Sequence, residues 1–479
     1  MSDLARWQHT RLRRRMLYGQ WEQDLRAKMV EALGTVRADA WKIADLSANV
    51  FRSSMMQLAV AYSRPPSVKH ENAADADLMT EQLHEAGLWV MKRRYQRDLL
   101  GMREMAMGIM VSDGQLRYRP IYPDMCTAEA DPGDPDQPVL FREAVLREVK
   151  GQQLWTWDVW DIRDPEQPSL TVEDERGNKL GGLLEVDGQR VDAITGDAYR
   201  AAWSYQDGTP FIPIVLDHAE KTGYLWDAYE GQELITGTLL VAVYWSMWGH
   251  TVRTSSWAQR YSINALIGAG SDGLDSAQRT KVVTDPSTVA QFRQDDEATG
   301  QAVLGQWAPP VDPKVLAEAI ALYERRLASF AGVSPSDVQR VAGDPRSGFA
   351  LAISREGKRE SQLELEPQLR AGDEELIKKS AAMLNRAQGA QIVAEDGWAI
   401  RYHLLPLSAD ERDKLREHLY SMKDRGLIDD AQILIELNPG MTRAEALMEL
   451  ARLAPVEEPE SEDEDDPEDE DGPPDDPDE

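Results

Sequence analysis

Apolar residues recurring at steps of three and four mark much of the chain as helical. The clearest stripe is Leu316, Ile320, Tyr323, Leu327 and Phe330, preceded by Pro309, Pro310 and Pro313 and closed at Gly332, which predicts a helix over 313–332. Val333 to Gly348, VSPSDVQRVAGDPRSG, carries two prolines and several turn formers and is expected to be a loop. From Phe349 to Gln388 the chain is rich in Ala, Leu, Glu, Lys, Arg and Gln, with only Gly357, Pro367 and Gly372 interrupting. A long helix bent near Pro367 is the simplest reading.

Upstream, Leu4 to Leu33 reads as one helix stopped by Gly34, and Asp45 to Val68 as a second, with Val50, Phe51, Met55, Leu58 and Tyr62 on one face and a stop at Pro65-Pro66. Asp77 to Met110 is a third helical tract, weakening at Gly101 and Gly108 and carrying a basic cluster, Lys92, Arg93 and Arg94. Leu225 to Arg260 is crowded on several sides by Leu239, Leu240, Val243, Trp245 and Trp248. Such a helix must be buried, and Gly231, Gly237 and Gly249 admit close approach of another helix. Three short helices end the pattern: one with a Ser408/Glu411 capping box, Leu415, Leu419 and Met422; one capped by Asp429 or Asp430; and one with Thr442/Glu445.

Period-two segments lie between these helices. Val111 to Asp124 reads as strand, turn, strand. Leu140 to Leu216 is mainly β, with Trp155, Trp157 and Val159 alternating with Thr156, Asp158 and Trp160, and it closes on the apolar run PFIPIVL at Pro210 to Leu216. The three tryptophans fit a half-buried strand better than a base-stacking platform. Gln391 to Tyr402 reads as two short strands around Asp396-Gly397. The fold class is therefore α+β.

Charge changes this picture at the end of the chain. Of a net charge of -31, sixteen acids fall in Val456 to Glu479, which has no Lys, Arg or aromatic residue and five prolines, leaving -15 for the remainder. That tail cannot bury enough apolar surface to order itself, and a disordered tail is expected. An acidic body argues against wrapping DNA on a broadly basic surface. At the N-terminus Arg11, Arg13, Arg14 and Arg15 read as a solvated face or as a contact with nucleic acid or an acidic neighbour. No apolar signal-peptide core is present there. One cysteine, Cys126, excludes an intramolecular disulfide and points to a reducing compartment. Leu234 to Val252 is uncharged but diluted by Thr, Ser, Gly and His, so no membrane span is expected.

Chemistry is hard to find. Gly268-Ala269-Gly270-Ser271-Asp272-Gly273 matches the dinucleotide fingerprint but lacks a βαβ unit, and Asp295-Asp296 with Glu297 has no third spaced carboxylate or histidine. Both are read as turns or solvated loop. No histidine pair, serine elbow or phosphate-binding loop occurs, so no enzyme activity, cofactor or metal is expected.

The order of parts resembles the portal proteins of tailed double-stranded DNA bacteriophages, carried by the helix, loop and long helix from Trp307 to Gln388 and by the early helix ending at Pro65-Pro66. The resemblance implies N-terminal helices and an α/β wing over 1–224, a first stem helix over 225–260, a clip over 261–312, and a second stem helix over 313–332. It continues with a tunnel loop over 333–349, a long wing helix over 350–390, a crown over 391–455 and the acidic tail over 456–479. It implies stem packing by Trp245, Trp248, Leu316, Ile320 and Leu327, and clip docking or oligomerisation through Tyr261, Arg279, Lys281 and Phe292. Gln339, Arg340, Asp344, Arg346 and Ser347 would line the DNA channel; Arg340 and Arg346 read equally well as phosphate contacts or as solvated loop arginines. The implied function is a homo-oligomeric ring, a dodecamer by family pattern, at one vertex of the virion capsid and assembled in the host cytoplasm. Its implied partners are double-stranded DNA, the terminase large subunit, head-completion or adaptor proteins, and the major capsid and scaffold proteins. A capsid-associated adaptor or scaffold without a DNA tunnel is the alternative.

Overall fold

Gly19, in the left-handed region at φ 76°, splits the stretch expected to be one N-terminal helix. In the computed structural model α1 spans Asp3–Tyr18 and α2 spans Glu22–Leu33. The structure describes residues 3–35, 44–112, 114–134, 137–149, 152–166, 168–181, 183–186, 189–192, 203–220, 223–226, 232–256, 259–263, 265–267, 292–294, 301, 303–307, 312–333, 348–403, 409–437 and 443–453.

α3 (Val50–Leu58) begins at Asn49, whose side chain accepts from the Arg52 N–H, and is shorter than its pattern because the chain leaves the helix at Ala59 before Pro65-Pro66. β1 (Ser67–Lys69) follows. Where one helix was expected over 77–110 there are two, α4 (Ala73–Glu85) and α5 (Leu88–Met102), and then a strand, β2 (Glu104–Ser112). The difference has a physical cause. Met105, Ala106, Met107 and Ile109 are all buried, so the strand is covered on both faces and shows no alternation. β2 turns into β3 (Gln115–Ile121) as the 111–124 pattern predicts.

β4 (Cys126–Ala130), β5 (Pro138–Val149), β6 (Gln152–Asp161), β7 (Ser169–Glu173) and β8 (Lys179–Gly181) form an antiparallel meander in chain order. Two ribbons follow, β9 (Leu183–Val186) with β10 (Gln189–Asp192) and β11 (Trp203–Ser204) with β12 (Pro210–Phe211). β13 (Ile214–His218) then pairs with β2, Ile214 opposite Gly108 and His218 opposite Glu104, giving a second sheet in the order β13-β2-β3. The tryptophans divide between the faces of β6. Trp157 stacks on Trp7 of α1, and Trp160 packs into a small cluster with Cys126, Phe141, Ile212 and Ile214.

The remaining elements of this unit are α6 (Gln232–Ser256), β14 (Gln259–Ile263), β15 (Ala265–Ile267), β16 (Phe292–Gln294), β17 (Val303–Trp307), α7 (Pro313–Phe330), α8 (Gly348–Gln388) and β18 (Ala399–Arg401). α8 runs through Pro367 as one element. Of the two strands expected over 391–402 only β18 forms, and its partner is β1, Ser67 opposite Arg401. The main core draws on α1 to α8, β2 and β13.

The second unit comprises α9 (Ala409–Asp424), α10 (Asp430–Leu437) and α11 (Arg443–Leu453). Asp429 caps α10, its Oδ1 accepting from the Gln432 N–H at 2.7 Å, and Leu419, Ala431, Ile433 and Ala446 are buried. Ser408, Thr442 and the acidic tail lie outside the described residues.

Candidate functional site: a nested hairpin and a buried charged cluster

α6 has no charged side chain from Leu234 to Val252 because it is packed on several sides. Leu234, Ile235, Leu239, Val241, Ala242 and Val243 are buried. Its small polar residues are used as ties. The Phe51 N–H donates to Thr238 Oγ1 at 3.1 Å, and the Asp45 N–H donates to Ser246 Oγ at 2.8 Å. Gly237 faces Leu327 of α7 so closely that a Cβ there would lie 2.6 Å from Leu327 Cδ1. Further along α6, Tyr244 meets Tyr323 edge-on, Trp245 Nε1 donates to Glu324 Oε1 at 2.6 Å, and Trp248 Nε1 donates to the Pro313 carbonyl at 2.9 Å. Later residues of α6 meet earlier residues of α7, so the two helices are antiparallel.

The strands continue the same pairing. β14 and β17 are antiparallel from Gln259 opposite Trp307 to Ile263 opposite Val303, and β15 pairs with β16, Ile267 opposite Phe292. Gln232 to Phe330 is thus one nested hairpin, with helices at its base and strands further out. α7 is seated by Asp312, whose carboxylate accepts from the Lys314 N–H at 2.8 Å, with Pro313 at the first helical position.

Ile320 and Leu327 are buried in the main core cluster, with Trp245, Trp248 and Leu316 packed against it. Off this stripe, one heptad apart, α7 carries a second apolar pair, Val315 and Leu322. They are 62% and 67% exposed, and Phe330, the last residue of the core-facing stripe, is 63% exposed. Tyr261 lies on β14 opposite Gly305 and Phe292 on β16. Arg279, Lys281 and all five proposed channel residues, Gln339, Arg340, Asp344, Arg346 and Ser347, lie outside the described residues, as do the glycine run 268–273 and Asp295-Asp296. Among the described residues no cluster of three or more His, Cys, Asp or Glu is placed to hold a metal, and no helix is long and apolar enough to cross a membrane.

A charged cluster that sequence reading missed joins α5, β13 and α8. Lys92 of α5 places Nζ 3.1 Å from Asp217 Oδ2 on β13 and 2.8 Å from Asp373 Oδ1 on α8, with all three side chains buried. Tyr62 and Tyr402 both donate to Asp373 Oδ2, at 2.7 and 2.5 Å. Burial opposes the charge on Lys92, but the two carboxylates outweigh it and its pKa is raised. For Asp217 burial wins over Lys92, and its carboxyl sits above the ordinary range. A Cβ at Gly372 would overlap the Asp217 carboxylate, so a glycine inside α8 has a steric reason. The signal was available: Lys92 falls three residues after Trp89 and three before Tyr95, on the buried face of an amphipathic helix.

The N-terminal arginines are not a simple solvated face. Arg6 is buried and donates to the carbonyls of Pro123 and Cys126 at 2.7 and 2.6 Å, and Arg13 is buried against the Met102 carbonyl. Thr156 and Asp158, expected on the polar face of β6, are also buried, because Arg147 donates to both and Thr156 Oγ1 donates to the Val145 carbonyl.

No protein-family model matches the sequence, and no curated protein matches it. Solved structures that align with most of the chain include the neck of an empty GTA particle computed with C6 symmetry, at 13% identity over 81% of this chain and 89% of that one, with a TM-score of 0.41. The neck of a native GTA particle computed with C12 symmetry aligns at 14% identity over 82% and 89%, also at 0.41. A TM-score of 0.41 is too low to carry an assignment of fold.

Proposed function

We propose that this chain is a portal protein, a ring-forming conduit at one vertex of a phage-like capsid through which double-stranded DNA is packaged and ejected. The observation that supports it is the nested hairpin. α6, about 37 Å long at 1.5 Å per residue, is anchored on one side and packed on α7, and strands extend the pair outward. The outer side of α7 carries Val315 and Leu322, exposed one heptad apart, a surface that a neighbouring copy in a closed ring would cover. In this reading the helices are the stem, the strands are the clip that receives the terminase and later the head-completion proteins, and the protein acts without catalysis.

Mass photometry and negative-stain electron microscopy of the full-length protein test this. Rings with a central hole and a mass near twelve times 53.8 kDa are expected. Val315→Glu with Leu322→Glu should abolish the rings and leave the thermal transition of the subunit unchanged. A monomer at every concentration, or assemblies without a central hole, overturns the reading, and rings indifferent to both substitutions remove the interface from this side of α7.

A further inference from the structure

The row of arginines at the end of α1 is the other feature that asks for a ligand. Arg11, Arg14, Arg15 and Tyr18 follow one another along one side of that helix and, with Gln20, Arg94, Tyr122 and Asp124, line an open cleft of about 510 Å³. Its floor is acidic and aromatic. Asp124 holds Arg14 at 3.3 Å and Arg11 at 3.7 Å. Asp98, buried beneath, accepts from Tyr18 and Tyr122 at 2.5 and 2.9 Å and from Arg97 at 2.8 Å. Arg15 forks onto Asp24 at 2.8 and 2.7 Å. The guanidinium of Arg14 lies 4.1 Å from the centre of the Tyr122 ring, and those of Arg94 and Arg97 lie 5.2 and 5.3 Å from that of Tyr18.

These bonds fix the arginines from below and leave their outer edges in water. The Arg11 and Arg94 side chains are 55% and 64% exposed. Arg11 uses Nε on Asp124, and Arg94 uses Nε and Nη2 on Tyr18, so both guanidinium groups are held from one side while most of each side chain stays in water. Five guanidinium groups here meet three carboxylates in a chain whose net charge is -31, so this local excess of positive charge runs against the composition. The cations are all arginine, the residue whose planar fork matches phosphate. Residues 11 to 18 extend ~10 Å along the helix at 1.5 Å per residue, longer than one anion group and suited to consecutive phosphates.

We infer that this cleft binds the phosphodiester backbone of duplex DNA without reading its sequence. It lies outside the hairpin and the 333–349 loop. The inference shares with the ring reading only its ligand, and ring formation and DNA retention are measured separately.

The test is fluorescence anisotropy of full-length protein with two unrelated labelled 25-base-pair duplexes across a salt series. Equal affinity for both duplexes is expected. Arg11→Glu with Arg94→Glu should weaken both by tenfold or more at about 50 mM salt. Neutral Arg11→Gln with Arg94→Gln should flatten the dependence of log affinity on log salt by about 2, one for each phosphate no longer neutralised. The glutamine pair also serves if the charge reversal unfolds the subunit, as judged by its melting curve. No DNA binding by the unaltered protein, unchanged binding by the folded glutamine variant, or displacement of DNA by polyglutamate at lower concentration than by unlabelled duplex overturns the inference; the last would assign the cleft to an acidic polypeptide.

Discussion

Lys92, Asp217 and Asp373 place one positive and two negative groups where water does not reach, and the three come from α5, β13 and α8. Removing the cation therefore costs far more than removing one anion. Lys92→Met would leave two facing carboxylates uncompensated and is expected to lose ~3–5 kcal/mol, whereas Asp217→Asn leaves a neutral Lys92–Asp373 pair and should lose under ~1.5 kcal/mol. Urea unfolding of both variants decides this; an equal loss would mean that Asp217 carries its own essential bond. Glu143 on β5 supplies a pH dependence. Burial pushes its carboxyl up to about 7, opposed by Arg119 at 2.7 Å and Arg147 and reinforced by Asp158. The folded state holds this proton while the unfolded state releases it near the ordinary 4.5, so the folded state binds more protons between those values. Its contribution is complete below pH 4.5 and lost as pH rises through about 7, worth on the order of 3 kcal/mol at one pKa unit per 1.36 kcal/mol. Glu143→Gln should flatten the decline in melting temperature between pH 5 and 8 and exceed the unaltered protein at pH 8.

The α6–α7 pair depends on a glycine facing a leucine. Gly237→Val pushes into Leu327 and is expected to cost ~1–3 kcal/mol, part of which Leu327→Ala in the same chain should restore. Strict additivity of the two losses in a double-mutant cycle would show that the helices had separated instead. This pair was legible because its information is local: Asp312-Pro313 opens α7, Gly332 follows it, and an uncharged helix needs cover on several sides. Where sequence and structure differ, the deciding neighbours are distant along the chain. β2 looks helical in sequence because it is the central strand of its sheet and α5 and α8 pack on it, so its residues are buried without alternation; β18 lacks its expected neighbour because its partner is β1, and Lys92 sits in an apparent basic cluster although its counter-charges lie at 217 and 373. Arg6 likewise finds its acceptors at Pro123 and Cys126, which no periodicity connects to α1.

At the scale of the molecule the nested hairpin divides into helices that enter the main core and strands beyond them. Among the described residues, the main core cluster includes side chains of α6 and α7 and none between residues 257 and 311. Shortening the outer part is expected to leave that core in place. Ile263 and Val303 are the last pair of the β14–β17 ladder, so replacing residues 264–302 by Asn-Gly closes the ladder with a two-residue type I′ turn. If the hairpin base is self-sufficient, the shortened protein should melt within about 2 °C of the full chain, equivalent to under ~1 kcal/mol for a body of this size. It should also keep the two tryptophan hydrogen bonds of α6, visible as an unchanged near-ultraviolet circular dichroism band. A fall of ~10 °C or more would place the removed segment in the folding core and would undo the division of this hairpin into stem and clip. Ring formation by the shortened chain then locates the subunit interface: rings that persist assign it to the exposed pair of α7, and rings that vanish at unchanged melting temperature assign it to the segment removed.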